Sequence, residues 1–253
     1  MKGPDEPLIY SLENEQVSAP VVISCDHASN RIPKAFQQLG LADEHLQQHI
    51  AYDIGALQVA NALAKFFNFP LISSNYSRLL VDLNRHPHDP SAIPEVSDEI
   101  VIPGNSGLTE EQRQNRLSDY FYPYHNRHSE LVDNASDDYK NPFVLAIHSF
   151  TPEMQSIARP WHYGVLWGHS QNLSSKFVKR LQQLPGRFIG ENQPYHALEP
   201  RGYSQDVHGA DRDVDVILLE IRQDLIHTPA GQESIAEELC QAIEPLIDFS
   251  RTV

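Results

Sequence analysis

The sequence predicts an α/β fold, a three-layer α/β/α sandwich with helices on both faces of a mostly parallel mixed sheet. Three observations lead there. Short apolar runs rich in β-branched residues recur along the chain. Patterns of helical periodicity separate them, the alternation expected of α/β domains. No internal repeat or Gly/Ser-rich linker divides the 253 residues, a length that suits one large domain spanning 1–253.

The elements follow in order. "APVVISC" (19–25) is almost continuously apolar, as strands covered on both faces are. "DIGALQVANALAKFF" (53–67) sets Leu57, Ala60, Leu63, Ala64 and Phe67 on one helical face. "PLISS" (70–74) and "RLLVDL" (78–83) read as further strands. The Pro-rich stretch 84–107 has no periodicity, and a loop of that length is usually functional or mobile. A lid over a site is one such use. At "TEEQ", Thr109 and Gln112 form a capping box that opens a helix carrying Leu117, Tyr120, Phe121, Tyr124, Leu131 and Val132. Pro123 should kink or split it. Strands are expected at 143–149, 163–168, 187–190 and 214–221. A last helix starts after Thr228 with Pro229 in its first turn and buries Ile235, Leu239, Ile243, Leu246 and Ile247.

Composition narrows the class of function. Hydrophobic content of 40% and charged content of 21% suit a soluble globular chain. The formal charge of −15 argues against nucleic acid or an anionic membrane as partner, since both demand basic surface. No apolar run reaches the roughly 18 residues of a membrane span. The start, "MKGPDEPLIYSLENE", lacks a signal-peptide pattern, so a cytoplasmic location is expected. Two cysteines, Cys25 and Cys240, make neither a disulfide framework nor a thiolate cluster. Cys25 reads as a small buried side chain, with nucleophilic use beside His27 as the alternative.

In α/β sheets ligands bind beyond the carboxyl ends of the strands. The residues that follow each apolar run are therefore informative: Asp26, His27 and Asn30; Asn84, Arg85 and His86; His148 and Ser149; Glu220, Arg222 and Asp224. His27 and His148 at adjacent strand ends suit a divalent metal, with Asn30 adding an oxygen; zinc, cobalt, nickel and iron all accept such a set. The alternative is a hydrogen-bonded histidine at each strand end. Glu220, amid apolar neighbours, reads either as a general base with a pKa raised by burial or as the ion-pair partner of Arg222. Arg78, Asn84 and Arg85 offer donors to a substrate carboxylate or an oxyanion, or else pair with acids such as Asp82. "GENQPY" (190–195) followed by His208 is a candidate further rim of the site.

Nine pieces in one order, "CDHASNRIP", "HIAYDIGA", "YSRLLVDLNR", "IPGN", "YPYH", "HSFTP", "RPWHYGVL", "GENQPY" and "LEIRQDL", resemble the N-formylglutamate amidohydrolase family. The resemblance spans about residues 20–232 and is closest to the predicted branch of that family. It implies a zinc-carboxypeptidase-like fold, related to the aspartoacylase-like deacylases, with one divalent metal ion, most often zinc. It further implies that His27 and His148 are ligands, that Asn30 occupies the place of a glutamate ligand, and that Glu220 is the general base. Asp26 or Asp53 would contribute in place of Asn30, or orient a histidine. Arg78, Asn84, Arg85 and Arg222 would hold the substrate, with Arg85 also stabilising the oxyanion. The implied reaction is hydrolysis of the amide bond of a small anionic N-acyl amino acid, N-formyl-L-glutamate first; a different N-acyl amino acid, or a non-catalytic binding protein on the same fold, are the alternatives.

Overall fold

The computed structural model describes residues 6–195 and 202–252; residues 1–5, on which part of the amino-terminal reading falls, lie outside the described residues. Strands β1 (Tyr10–Glu13) and β2 (Val21–Cys25) precede helices α1 (Asp43–Leu46) and α2 (Ala56–Phe67), and β3 (Leu71–Ser74) follows. The hairpin β4 (Val96–Ser97) and β5 (Ile100–Val101) lies in the long loop before α3 (Glu110–Arg116) and α4 (Tyr122–Asp138). After β6 (Phe143–Phe150) come the hairpin β7 (Glu153–Met154) and β8 (Ile157–Ala158), then β9 (Tyr163–Leu166), α5 (Gln171–Leu181) and β10 (Ile189–Glu191). The short α6 (Tyr203–Val207), β11 (Asp215–Arg222) and α7 (Pro229–Ile243) complete the order.

The main sheet runs β1-β3-β2-β6-β11-β9-β10. Four pairings are parallel (β3–β2, β2–β6, β6–β11, β9–β10), while β1–β3 and β11–β9 are antiparallel. Side chains alternate between two cores, as the period of two requires. Val21, Ile23, Cys25, Leu145, Ile147, Ile217 and Leu219 pack against α2, α5 and α7. Val22, Val144 and Val216 pack on the opposite face with Tyr124, Leu131 and Val132 of α4. Continuing along that second face, β6 brings up His148 and β11 brings up Glu220, paired in register. Across the antiparallel side, Gly164 lies opposite Glu220. A Cβ at Gly164 would meet the Gln193 carbonyl oxygen at 1.9 Å, so only glycine lets that loop pass close enough to carry Tyr195 toward the site.

The predicted three-layer arrangement is therefore present, with three local differences. The run Arg78–Leu83 is not a strand but a sequence of turns. Ser77 Oγ accepts the Leu79 amide at 3.1 Å and Asp82 Oδ1 accepts the Asn84 amide at 2.8 Å, so side chains satisfy backbone groups a ladder would otherwise use. Strand β1 lies outside the expected elements because its half-buried and exposed residues alternate only weakly at a sheet edge. The capping box of Thr109 and Gln112 is formed as expected, and a π-turn over Leu117–Phe121 joins α3 to α4 ahead of Pro123. That wider turn accommodates a ring with no N–H to donate. Among the described residues no helix is long and apolar enough to cross a membrane.

Candidate active site

A cavity of about 560 Å³ opens on the second face of the sheet, within the size range of small-molecule sites. His27 follows the end of β2, His148 sits in β6, and Asp53 lies just before α2. Backbone geometry holds Asp53 against the first histidine: its amide donates to the His27 carbonyl at 2.9 Å. Gly55, at φ +80°, then starts α2 where a Cβ would lie 2.2 Å from the Ile226 carbonyl oxygen. Asp53 Oδ2 is 2.8 Å from His148 Nδ1 and 3.4 Å from His27 Nδ1. One ligand atom from each of the three residues lies within 4.8 Å of the others.

The tautomer of His27 follows from its far side. Nε2 lies 2.7 Å from Asp82 Oδ1 and donates to it, which leaves a lone pair on Nδ1 facing Asp53. Arg78 clamps the two carboxylates, at 3.0 Å to Asp82 and 3.5 Å to Asp53. Burial alone would raise both carboxyls. The neighbouring histidines, with Arg78 beside Asp82, hold them well below the usual range. His148 moves the other way: against the cost of burial, its hydrogen bond to Asp53 and the surrounding carboxylates push it up to about 9. The pocket thus attracts positive charge, and a proton on His148 meets part of that demand. Burial raises Glu220 to about 7, against the pull of His148.

Among the described residues His27 Nδ1, His148 Nε2 and Glu220 Oε2 have no hydrogen-bond partner. Leaving such atoms unmet costs about 1–3 kcal/mol each. Two imidazoles and a carboxylate that bring ligand atoms within 4.8 Å of one another fit a divalent transition metal.

The other expected residues divide. Arg78, Asn84, Arg85 and Glu220 line the cavity with both histidines. Arg85 bonds the Asn84 carbonyl at 2.8 Å through Nη1. Asn30 is not a lining residue; its Nδ2 donates to the Leu46 carbonyl at 2.8 Å, while Asp53 stands between the histidines. Asp26 is occupied by Tyr124 at 2.6 Å and Ser204 at 2.7 Å. Arg222 turns to Asp224, at 2.7 and 3.1 Å, so it does not pair with Glu220 and its fork is already filled. Cys25 lies in the opposite core, where burial raises its thiol. Tyr195 joins the cavity rim, but His208 belongs to a separate buried cluster. Ser97 and Asp98 bring the tip of the 84–107 loop to the rim. Sequence reasoning missed the roles of Asp82 and His49. His49 lies 3.8 Å from Asp53, and burial lowers it to about 4, so it faces that carboxylate as a neutral ring.

The sequence pattern of N-formylglutamate amidohydrolase matches residues 19–227, most of the chain. The chain belongs to the N-formylglutamate amidohydrolase family. It is accordingly a hydrolase of that family, as the nine sequence pieces imply. The gene product Atu2144 from Agrobacterium tumefaciens is similar throughout: 31% identity, TM-score 0.90, with 97% of this chain and 98% of that chain covered. N-formylglutamate amidohydrolase from Ralstonia eutropha JMP134 shares the fold at 19% identity and TM-score 0.65, covering 95% and 97% of the two chains. YNDL in its zinc-free apo form shares it more distantly, at 12% identity and TM-score 0.50, with 95% and 92% covered. Among curated proteins no sequence matches.

Proposed function

We propose that this family member is a metal-dependent amidohydrolase that cleaves the amide bond of a small anionic N-acyl amino acid, with N-formyl-L-glutamate, giving formate and L-glutamate, the first candidate. The observation that carries the reading is the group formed by His27, Asp53 and His148, with unpartnered nitrogens, beside the unpaired Oε2 of Glu220. His27, Asp53 and His148 would hold one divalent ion, zinc first and cobalt, nickel or iron as alternatives, and Asp53 takes the part that the resemblance gives to Asn30. Bound there, the ion supplies a Lewis acid that polarises the acyl carbonyl and acidifies water.

The chain's own groups do the rest. Asp82 fixes the His27 tautomer, and Arg78 helps keep Asp82 ionised and bridges it to Asp53. Glu220 Oε2, poised near neutrality, takes a proton from the attacking water and gives it to the departing amine. Arg85, with one of its five N–H donors spent on Asn84, faces the cavity and suits the developing oxyanion or the substrate carboxylate. Asn84 lines the same wall, and Arg222 is left out of this site. The volume of the cavity also favours a second substrate reading, the same hydrolysis on a bulkier N-acyl amino acid.

Glu220→Gln tests the mechanism. We expect kcat on N-formyl-L-glutamate to fall by at least two orders of magnitude while metal content, measured by elemental analysis, stays unchanged. Undiminished turnover in that variant removes Glu220 from the chemistry. Assay of an N-formyl and N-acetyl amino-acid panel, before and after chelation, separates the two substrate readings. A protein inactive on every member with every metal is instead a binding protein.

A further inference from the structure

Away from the cavity, three histidines meet inside the second core. His125 and His128 share a face of α4 at a spacing of three, and His208 follows α6. All three are buried, His128 and His208 completely. His125 Nδ1 lies 2.9 Å from His208 Nε2, and the rings of His128 and His208 are 3.8 Å apart between centroids. One ring nitrogen from each residue falls within 4.8 Å of the other two.

We propose that His125, His128 and His208 form a second metal site, distinct from the cavity, that takes a divalent transition ion such as zinc through three imidazole nitrogens.

An ion between the three rings would meet one of the two unpartnered nitrogens of His128. Among the described residues, both ring nitrogens of His128 and Nδ1 of His208 lack a partner. A neutral imidazole carries one donor and one acceptor, so burying both unmet is unfavourable. His125 is oriented as metal-bound histidines are: Nε2 donates to the Leu83 carbonyl at 2.8 Å, leaving the lone pair of Nδ1 aimed into the cluster. Without an ion, a proton must sit between that lone pair and His208 Nε2; an ion takes the place of the proton. Nitrogens bound to tetrahedral zinc at about 2.0–2.1 Å stand roughly 3.3–3.4 Å apart, so the observed 2.9 Å needs only a small spread. Burial keeps all three rings neutral, with His125 lowered to about 3 and His128 to about 4, and neutral imidazole is the ligating form. Asp26, whose charge acts on His125 and His128, supplies negative charge nearby, against the positive Arg212. Three histidine ligands leave a fourth position for a water molecule.

The test removes the cavity ligands first. The His27→Ala/His148→Ala variant, stripped with chelator and reloaded with zinc, should retain one zinc per chain by elemental analysis, against two in the wild-type chain. Cobalt(II) in its place should give the visible absorption of a tetrahedral nitrogen site. Adding His128→Leu should cut zinc at least tenfold with the circular dichroism spectrum unchanged. Should that triple variant fail to fold, zinc-edge anomalous diffraction from the double variant locates the ion directly. A double variant that holds no zinc, or a zinc peak away from the three rings, overturns the proposal and leaves the cavity reading untouched.

Discussion

Asp53 is the residue on which the cavity turns. It meets His148, His27, His49 and Arg78 within 3.8 Å, and its second oxygen also accepts the Ser149 amide at 3.3 Å. On the proposed reading, its charge is what would draw a cation there. Asp53→Asn is therefore expected to weaken zinc binding at the cavity by at least a hundredfold, read by competition with a chromophoric chelator. Asn30→Ala should leave that affinity within about threefold. Equal losses in the two variants would restore Asn30 as the ligand. These residues also show what the sequence reveals at this scale. His27, His148 and Glu220 stand out in the sequence because each lies within or just after an apolar run, where polar chemistry has no packing reason to sit, and all three line one cavity. The spacing of three offers Asn30 as a partner for His27; the chain after Cys25 is not helical, and the Asn30 side chain bonds the Leu46 carbonyl instead of lining the cavity. Asp53 enters the sequence reading as one of two acids that would replace Asn30 or orient a histidine; the choice between them is not legible there, because its approach to both histidines is a product of tertiary folding.

At the level of elements, periodicity and capping identified α2, the start of α3, α7 and most strands of the main sheet. The run Arg78–Leu83 escaped because a buried loop is as apolar as a buried strand; Leu79, Leu80, Val81 and Leu83 all enter the second core. Loop though it is, it delivers Arg78, Asp82, Asn84 and Arg85 to the cavity wall or its support. On the opposite face, α7 is tied to the sheet by Glu238. That carboxylate accepts Tyr163 Oη at 2.7 Å and Arg187 Nε at 2.7 Å, with a second Arg187 contact on its other oxygen. Despite partial burial, the arginine and the tyrosine hold Glu238 below its ordinary pKa. Since the folded value is the lower one, the tie is fully present above about pH 4.3 and fades as pH falls through the folded value. Glu238→Gln should thus be less stable than wild type at pH 7 in urea unfolding, and the gap should narrow between pH 5 and pH 3. A gap independent of pH would show that the charge on Glu238 contributes nothing to the tie.

For the whole molecule, the decisive fact is how far apart in the chain the cavity groups lie. His27, Asp53, His148 and Glu220 come from β2, the turn before α2, β6 and β11, and only the completed sheet gathers them. The unfolded chain has no comparable group, so an ion bound in the cavity stabilises the native state alone. At a hundredfold excess over its dissociation constant, that linkage contributes about 2.7 kcal/mol. For a chain of this length, where one kcal/mol moves Tm by about 2–4 °C, the expected rise is roughly 5–10 °C. The three-histidine cluster would add its own increment, so the comparison must isolate the cavity. Zinc should raise the Tm of wild type by roughly 5–10 °C more than it raises that of His27→Ala/His148→Ala, as followed by calorimetry at matched excess. Equal shifts in the two proteins would mean that zinc stabilises this fold without entering the cavity, and the case for a zinc-dependent hydrolase would fail with it.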